Sequence, residues 1–158
     1  MLAYRHLFHA GNFADVFKHA LLAQLVIALA KKDKPFFCLD THSGIGRYDL
    51  AHDWAQKNAE FKQGITRLWG RDDVPAEVEP YLDLVRAENP DGSLRFYPGS
   101  PVITRKLMRP DDRLALTTFA QRVFKIHGLK SLILSGNQAG LAEIHYDAKH
   151  WTAAEILT

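Results

Sequence analysis

The sequence predicts an α/β protein whose sheet is incomplete, and three observations predict it. A stretch with apolar residues at near-helical spacing runs from Asn12 to about Lys32. An apolar run, Pro35 to Leu39, follows it and ends in the acidic Asp40, straight before a loop with two glycines, Gly44 and Gly46. Two further extended segments lie downstream, Arg113 to Thr117 and Ala142 to Tyr146. A strand running into a glycine loop is where α/β proteins place a nucleotide-like ligand, at the carboxyl end of the strand. Three such strands, expected to be parallel, need both faces covered and neighbours on each side, so the sheet is expected to show open edges.

Composition frames the possibilities. At 158 residues the chain is long enough for one core, and 47% hydrophobic with 24% charged residues is ordinary for a globular protein. A net charge of +2 and a pI near 8.7 permit a polyanionic partner without demanding one. The single cysteine, Cys38, sits inside the apolar run and reads as a small buried residue rather than a nucleophile or a metal thiolate. Met1 to Asn12 lacks the apolar core of a signal peptide. The longest apolar stretch, Ala20 to Ala30, is broken by Gln24 and is too short for a bilayer, so a cytoplasmic protein is expected.

Each element has a local reason. Asn12 is a favoured N-cap, and Asp15 stands in the first turn, where the helix dipole favours negative charge. Phe13, Val16, Phe17, Leu21, Leu25 and Leu29 make the apolar spacing of this helix, while Lys18 and His19 interrupt it, Lys18 as a possible partner of Asp15. Helical spacing recurs over His52 to Trp69 and Ala76 to Ala87, with Pro80 able to kink the second or delay its start, and these form a helical insert. Asn89 to Gly92 is a turn, and Ser93 to Tyr97 is short and extended. Ser100 is expected as the N-cap of a helix with Pro101 at its first position. After the Arg113 strand, a helix is expected from Gln121 to Leu134, broken near Gly128, then a loop at Ser135 to Asn137 and a closing helix from Trp151 to Leu157.

The glycine loop reads Asp-x-x-x-Gly-x-Gly. It is neither the dinucleotide fingerprint nor a P-loop, and it fits the looser loop with which methyltransferases hold S-adenosylmethionine. His6, His9 and His19 have no cysteine or carboxylate completing a zinc pattern, so no metal site is expected.

Three separated segments, MLAYRHLFHAGNFADVFKH, LDTHSGIGRY and LRFYPGSP, resemble the bacterial 23S ribosomal RNA adenine methyltransferases of the RlmJ type. The likeness runs from Met1 to about Thr117 and resumes loosely at Ala142. It implies a Rossmann-like, S-adenosylmethionine-dependent methyltransferase fold, here a partial domain over residues 1–158 with the helical insert at about 51–90. It implies methylation of an adenine exocyclic amine, N6, in 23S rRNA, by a protein that is a monomer when complete, with no membrane association and no metal. Cofactor contacts fall on His19, His42 and Ser100, beside the loop of Asp40, Gly44 and Gly46. Asp147 takes the place of an acidic residue near the cofactor's adenine, although Ala148 replaces the glycine expected after it. Tyr4, His6 and Lys18 fall in the substrate-facing region, where an aromatic and cations suit a base and its phosphates.

Two departures stand out. The family's Asp-Pro-Pro-Tyr motif, which receives the amine, occurs nowhere in this chain, so no catalytic residue is assigned and the chemistry is expected to be incomplete. Where the family carries a ribose-binding Glu in Glu-Leu-His-Pro, this chain reads Thr117-Thr118-Phe119-Ala120. The alternatives are a non-enzymatic remnant that binds RNA or S-adenosylmethionine weakly, and a protein involved in the use of external DNA. For the latter, no carboxylates cluster at the spacing nuclease metals require.

Overall fold

The computed structural model describes residues 6–118, 129–134 and 143–146. Tyr4, Asp147, the loop at Ser135 to Asn137, the closing helix and residues 121–128 lie outside them.

Helix α1 (Phe13–Ala30) begins where the sequence places it: the Asn12 side chain accepts a hydrogen bond from the Asp15 backbone N–H at 2.9 Å. Its orientation reverses expectation. Phe13, Phe17, Leu21 and Leu25 are exposed, at 55–74%, whereas Asp15, His19, Ala23 and Val26 face inward and are buried. The inward face packs on α3 (Glu79–Ala87) and α4 (Ser100–Leu107). Ala23 lets those helices come close, and Asp15 and His19 find polar partners inside. At 18 residues α1 is also, by length and composition, apolar enough to cross a membrane, which a count starting at Ala20 misses.

Strand β1 (Phe37–Ser43) starts later than predicted and continues three residues past Asp40, because it pairs in parallel with β4 (Arg113–Thr118) from Phe37↔Arg113 to Ser43↔Thr118. Asp112 fixes the entry to both. Its carboxylate accepts from Phe36 N–H at 2.9 Å and from the Arg109 backbone and guanidinium, while Arg109 also donates to the carbonyls of Lys32 and Lys34. Beyond β4 the prediction of a helix through Leu134 fails. Residues Leu129–Leu134 form β5, antiparallel to β4, and β6 (Glu143–Tyr146) is antiparallel to β5. The described sheet thus has four strands in the order β1-β4-β5-β6, with only one parallel pair and with β1 at its edge. The apolar run SLIL suits either a helix or a strand, and pairing with β4 decides between them.

A second, two-stranded sheet joins β2 (Arg47–Asp49) to β3 (Phe96–Pro98), with Tyr48 opposite Tyr97. The first helix of the insert is shorter than predicted. α2 (Asp53–Asn58) stops at Ala59, which sits at φ +50°, and single 3₁₀ turns follow over Glu60–Gln63 and Ile65–Arg67. Docking explains the break, since Ile65 N–H is bonded to Gly11 C=O at 2.9 Å and a Cβ at Gly64 would lie 2.1 Å from that oxygen. Pro80 falls in the first turn of α3 and delays the helix rather than kinking it. The insert shares one core with the rest: Ile65, Tyr81, Leu82 and Val85 pack with Ala23 of α1, Tyr48, Tyr97 and Ile103 of α4.

Candidate ligand-binding cleft

A cleft of about 480 Å³ opens between α1, the carboxyl half of β1 and the first turn of α4. That volume is in the range of small-molecule sites, roughly 300–1,000 Å³. Its lining is apolar at Leu21, Leu22, Leu25 and Leu39 and polar at Lys18, His19, Asp40, Thr41, His42 and Ser100, with α1 and β1 each contributing residues of both kinds. Five residues singled out from the sequence, Lys18, His19, Asp40, His42 and Ser100, therefore meet in one place although they span 82 positions of the chain.

Asp40 organises the polar lining. One carboxylate oxygen accepts the His42 backbone N–H at 3.1 Å, and the other accepts the Ser100 hydroxyl at 2.6 Å. Ser100 is thus not the N-cap: that position belongs to Gly99, without a side-chain cap bond, and Ser100 opens the helix with its hydroxyl on Asp40. Gly99 makes this approach possible. Its N–H donates to Gly46 C=O at 2.8 Å, and a Cβ there would stand 2.4 Å from the carbonyl oxygen of Ile45. His42 is exposed, with its Nδ1 3.0 Å from the Thr41 hydroxyl.

Gly44 and Gly46 are not among the residues lining the cleft. A Cβ at Gly44 would meet the Tyr48 hydroxyl oxygen at 2.2 Å, and one at Gly46 would meet Val102 at 3.1 Å. Packing of the loop accounts for both glycines, and neither takes a positive φ.

Beneath the cleft lies a buried polar group that sequence reasoning undervalued. Asp15, read as a first-turn acid with Lys18 as its candidate partner, accepts from Lys18 Nζ at 2.7 Å, as that pairing expects, and also from Gly11 N–H at 3.1 Å, and it lies 2.8 Å from His6 Nε2. Burial opposes its ionisation, but the bonds from His6 and Lys18 outweigh it and hold the carboxyl well below the ordinary range. Lys18 is therefore tied down at the cleft's rim, and His6 belongs to the support of Asp15 rather than to the cleft lining. His19, 1% exposed, puts Nδ1 2.8 Å from the Tyr97 hydroxyl, and burial pulls its pKa down to about 4, so the ring is neutral. Tyr97 and Gly99 lie in the LRFYPGSP segment, but the sequence assigns no role to either. Their value comes from contacts made across the fold.

Cys38 lines the cleft, half-buried. Burial and the neighbouring Asp40 charge push its thiol up, which removes it as a nucleophile at neutral pH. Among the described residues no group of three or more His, Cys, Asp or Glu could hold a metal ion. Apolar lining combined with fixed acceptors and a neutral imidazole suits a ligand with a flat or aliphatic body and hydrogen-bonding ends. A second groove of about 340 Å³ between α1 and the insert is mostly apolar, with Gln63 and Arg67 as the polar side chains of its lining.

Known proteins resemble the chain in this region. A family model described as "Ribosomal RNA large subunit methyltransferase D, RlmJ" matches residues 33–129. "Ribosomal RNA large subunit methyltransferase J" of Escherichia coli strain K12 is 52% identical over 117 residues, which is 74% of this chain and 42% of that protein. The Haemophilus influenzae protein of the same description is 48% identical over 118 residues, with the same coverage of 74% and 42%. A crystal structure of a Legionella pneumophila protein superposes with a TM-score of 0.66 at 40% identity, covering 74% of this chain and 43% of that one. The chain spans about two fifths of the length of the curated relatives it matches.

Proposed function

Because the chain belongs to the RlmJ family of large-subunit ribosomal RNA methyltransferases, we propose that it is a partial Rossmann-like methyltransferase domain. In this reading its cleft binds S-adenosylmethionine and its surface meets 23S ribosomal RNA, in the cytoplasm, for methylation of an adenine N6 amine. The convergence of His19, Asp40, His42 and Ser100 on one cleft at the end of β1 carries this reading. The edge position of β1 among the described strands is in keeping with an incomplete sheet.

S-adenosylmethionine, when bound, supplies a methyl that is already activated, so the protein's part is alignment. Asp40 and Ser100, locked together at 2.6 Å, offer fixed oxygens at the end of β1. Neutral His19 adds a hydrogen-bonding edge without a charge that would repel a sulfonium. Leu21, Leu25 and Leu39 line the cleft with apolar surface against which the cofactor's body would pack. Thr118, in register with Ser43 at the end of β4, stands where the resemblance expects a carboxylate, and a hydroxyl replaces two strong acceptors by one. No Asp-Pro-Pro-aromatic sequence is present to receive the amine, so the proposed role of this chain is to bind cofactor and RNA, not to complete the transfer. His6 and Lys18, with Tyr4, form the RNA-facing side in this reading. Gly44, Gly46 and Asp147 remain assigned to the cofactor by resemblance alone.

Calorimetric titration with S-adenosylmethionine tests the cleft. Weak binding is expected, abolished by Ser100→Phe and tightened about tenfold or more by Thr118→Glu, as an added charge-assisted bond would do. Parallel assays with unmodified 23S rRNA and labelled cofactor should show no methyl transfer. Turnover would overturn the incomplete reading, and no binding by either the wild type or Thr118→Glu would overturn the cofactor assignment.

A further inference from the structure

Three polar side chains stand in file beneath the cleft. His19 Nδ1 lies 2.8 Å from the Tyr97 hydroxyl oxygen, which lies 3.1 Å from that of Tyr81. All three are buried, at 1%, 0% and 0% exposure, and the His19 and Tyr97 rings stack at 5.6 Å with planes 25° apart. The Tyr81 hydroxyl has no other hydrogen-bond partner among the described residues, and Nε2 of His19 has none either, although His19 lines the cleft.

A proton count decides the direction of this chain. Both phenols are held neutral by burial, and so is the imidazole, so two hydroxyl protons and one ring proton must be placed. If Nδ1 carries the ring proton and donates to Tyr97, only one of the two phenols can donate to the other, and the remaining hydroxyl proton is stranded in the core. If Tyr81 donates to Tyr97 and Tyr97 donates to Nδ1, both hydroxyl protons have acceptors and the ring proton sits on Nε2 of a residue that lines the cleft. Buried polar groups that can pair do so. We infer that Tyr97, backed by Tyr81, fixes His19 in its Nε2–H tautomer, so that His19 presents a hydrogen-bond donor to an acceptor oxygen or nitrogen of the cleft's ligand. Tyr97 and Tyr81 are positioning residues: they meet no ligand and act through His19. The identity of that ligand as S-adenosylmethionine rests on the function proposed above, whereas the tautomer does not.

Long-range ¹H–¹⁵N correlation spectra of the histidine rings, recorded on the full chain at pH 7 without cofactor, test the lock directly. His19 is expected to show a protonated Nε2 and a bare Nδ1. Tyr97→Phe, nearly isosteric, should turn this into a mixture of tautomers and weaken S-adenosylmethionine binding about tenfold, with Tyr81→Phe falling between it and wild type. A proton on Nδ1 in the wild-type spectrum would overturn the inference, even if Tyr97→Phe fails to fold. So would a Tyr97→Phe protein with both tautomer and affinity unchanged. An Nε2–H tautomer in a protein that binds no cofactor would uphold the lock and overturn the cofactor reading instead.

Discussion

His19 and Asp112 contribute, together with the depressed Asp15, to the acid behaviour of the folded chain, and all push in the same direction. Burial pulls His19 from its ordinary 6.5 to about 4. Between those values the unfolded chain takes up a proton that the folded one refuses, so stability falls as pH drops through that window. Asp112 extends the fall: its Arg109 partner, against the cost of burial, lowers it from 3.8 to about 2. Its contribution is complete above about pH 4 and is lost as pH falls toward 2. Urea unfolding of wild type should therefore show a midpoint that declines steadily from pH 7 downward. Asp112→Asn should cost about 2 kcal/mol at pH 7, the order expected when buried donors lose a charged acceptor, and should converge on wild type near pH 2. Equal midpoints at pH 7 would show the Arg109–Asp112 clamp to be idle. At this scale the sequence showed which residue types were present but not which were buried. Asp15 reads as a dipole-matching acid with Lys18 as its candidate partner, and only the fold shows it buried and accepting from Gly11 as well.

Among the elements, those with a local cause were legible. Asn12 caps α1, Pro80 holds back α3, and the turn at Asn89 closes with the Gly92 N–H on its carbonyl. Elements whose cause is a distant partner were not. β1 runs on to Ser43 because β4 pairs with it, and Leu129–Leu134 is a strand because β4 offers an edge. The long predicted helix at His52 to Trp69 breaks because Gly64 must lie against the backbone of Gly11. Gly64→Ala should test that seam. A Cβ there would come within 2.1 Å of Gly11 O and 2.4 Å of the Asn12 carbonyl carbon, neither of which can swing aside. We expect a loss of about 2–3 kcal/mol in thermal or urea unfolding, typical of overpacking a tight site. An unchanged midpoint would mean that the insert docks more loosely than this.

For the whole molecule, the cleft was legible as a set of residues and illegible as a shape. His19, Asp40, His42 and Ser100 were found through motif resemblance, while the cleft's apolar lining at Leu21 and Leu25 comes from a face of α1 that amphipathic spacing assigns to the core. That face stays exposed together with Phe37 and Leu39 of β1, and β1 has a strand partner on one side only among the described strands. Exposed apolar surface beside an unpaired strand edge is a recipe for association. The folded chain is expected to bind a hydrophobic dye and to scatter light increasingly with concentration, and Phe13→Lys with Phe17→Lys should reduce both. A wild-type protein that stays monodisperse and dark in dye would contradict the exposure seen here.

The amide of Ile65 is bonded to Gly11 C=O, and Gly64 leaves no slack at that joint. The turn at His6 and the helical insert are consequently one rigid handle, although 59 positions separate them. A nucleic-acid strand gripping the amino-terminal turn would drag the insert along with it, so a footprint read at one should reappear at the other.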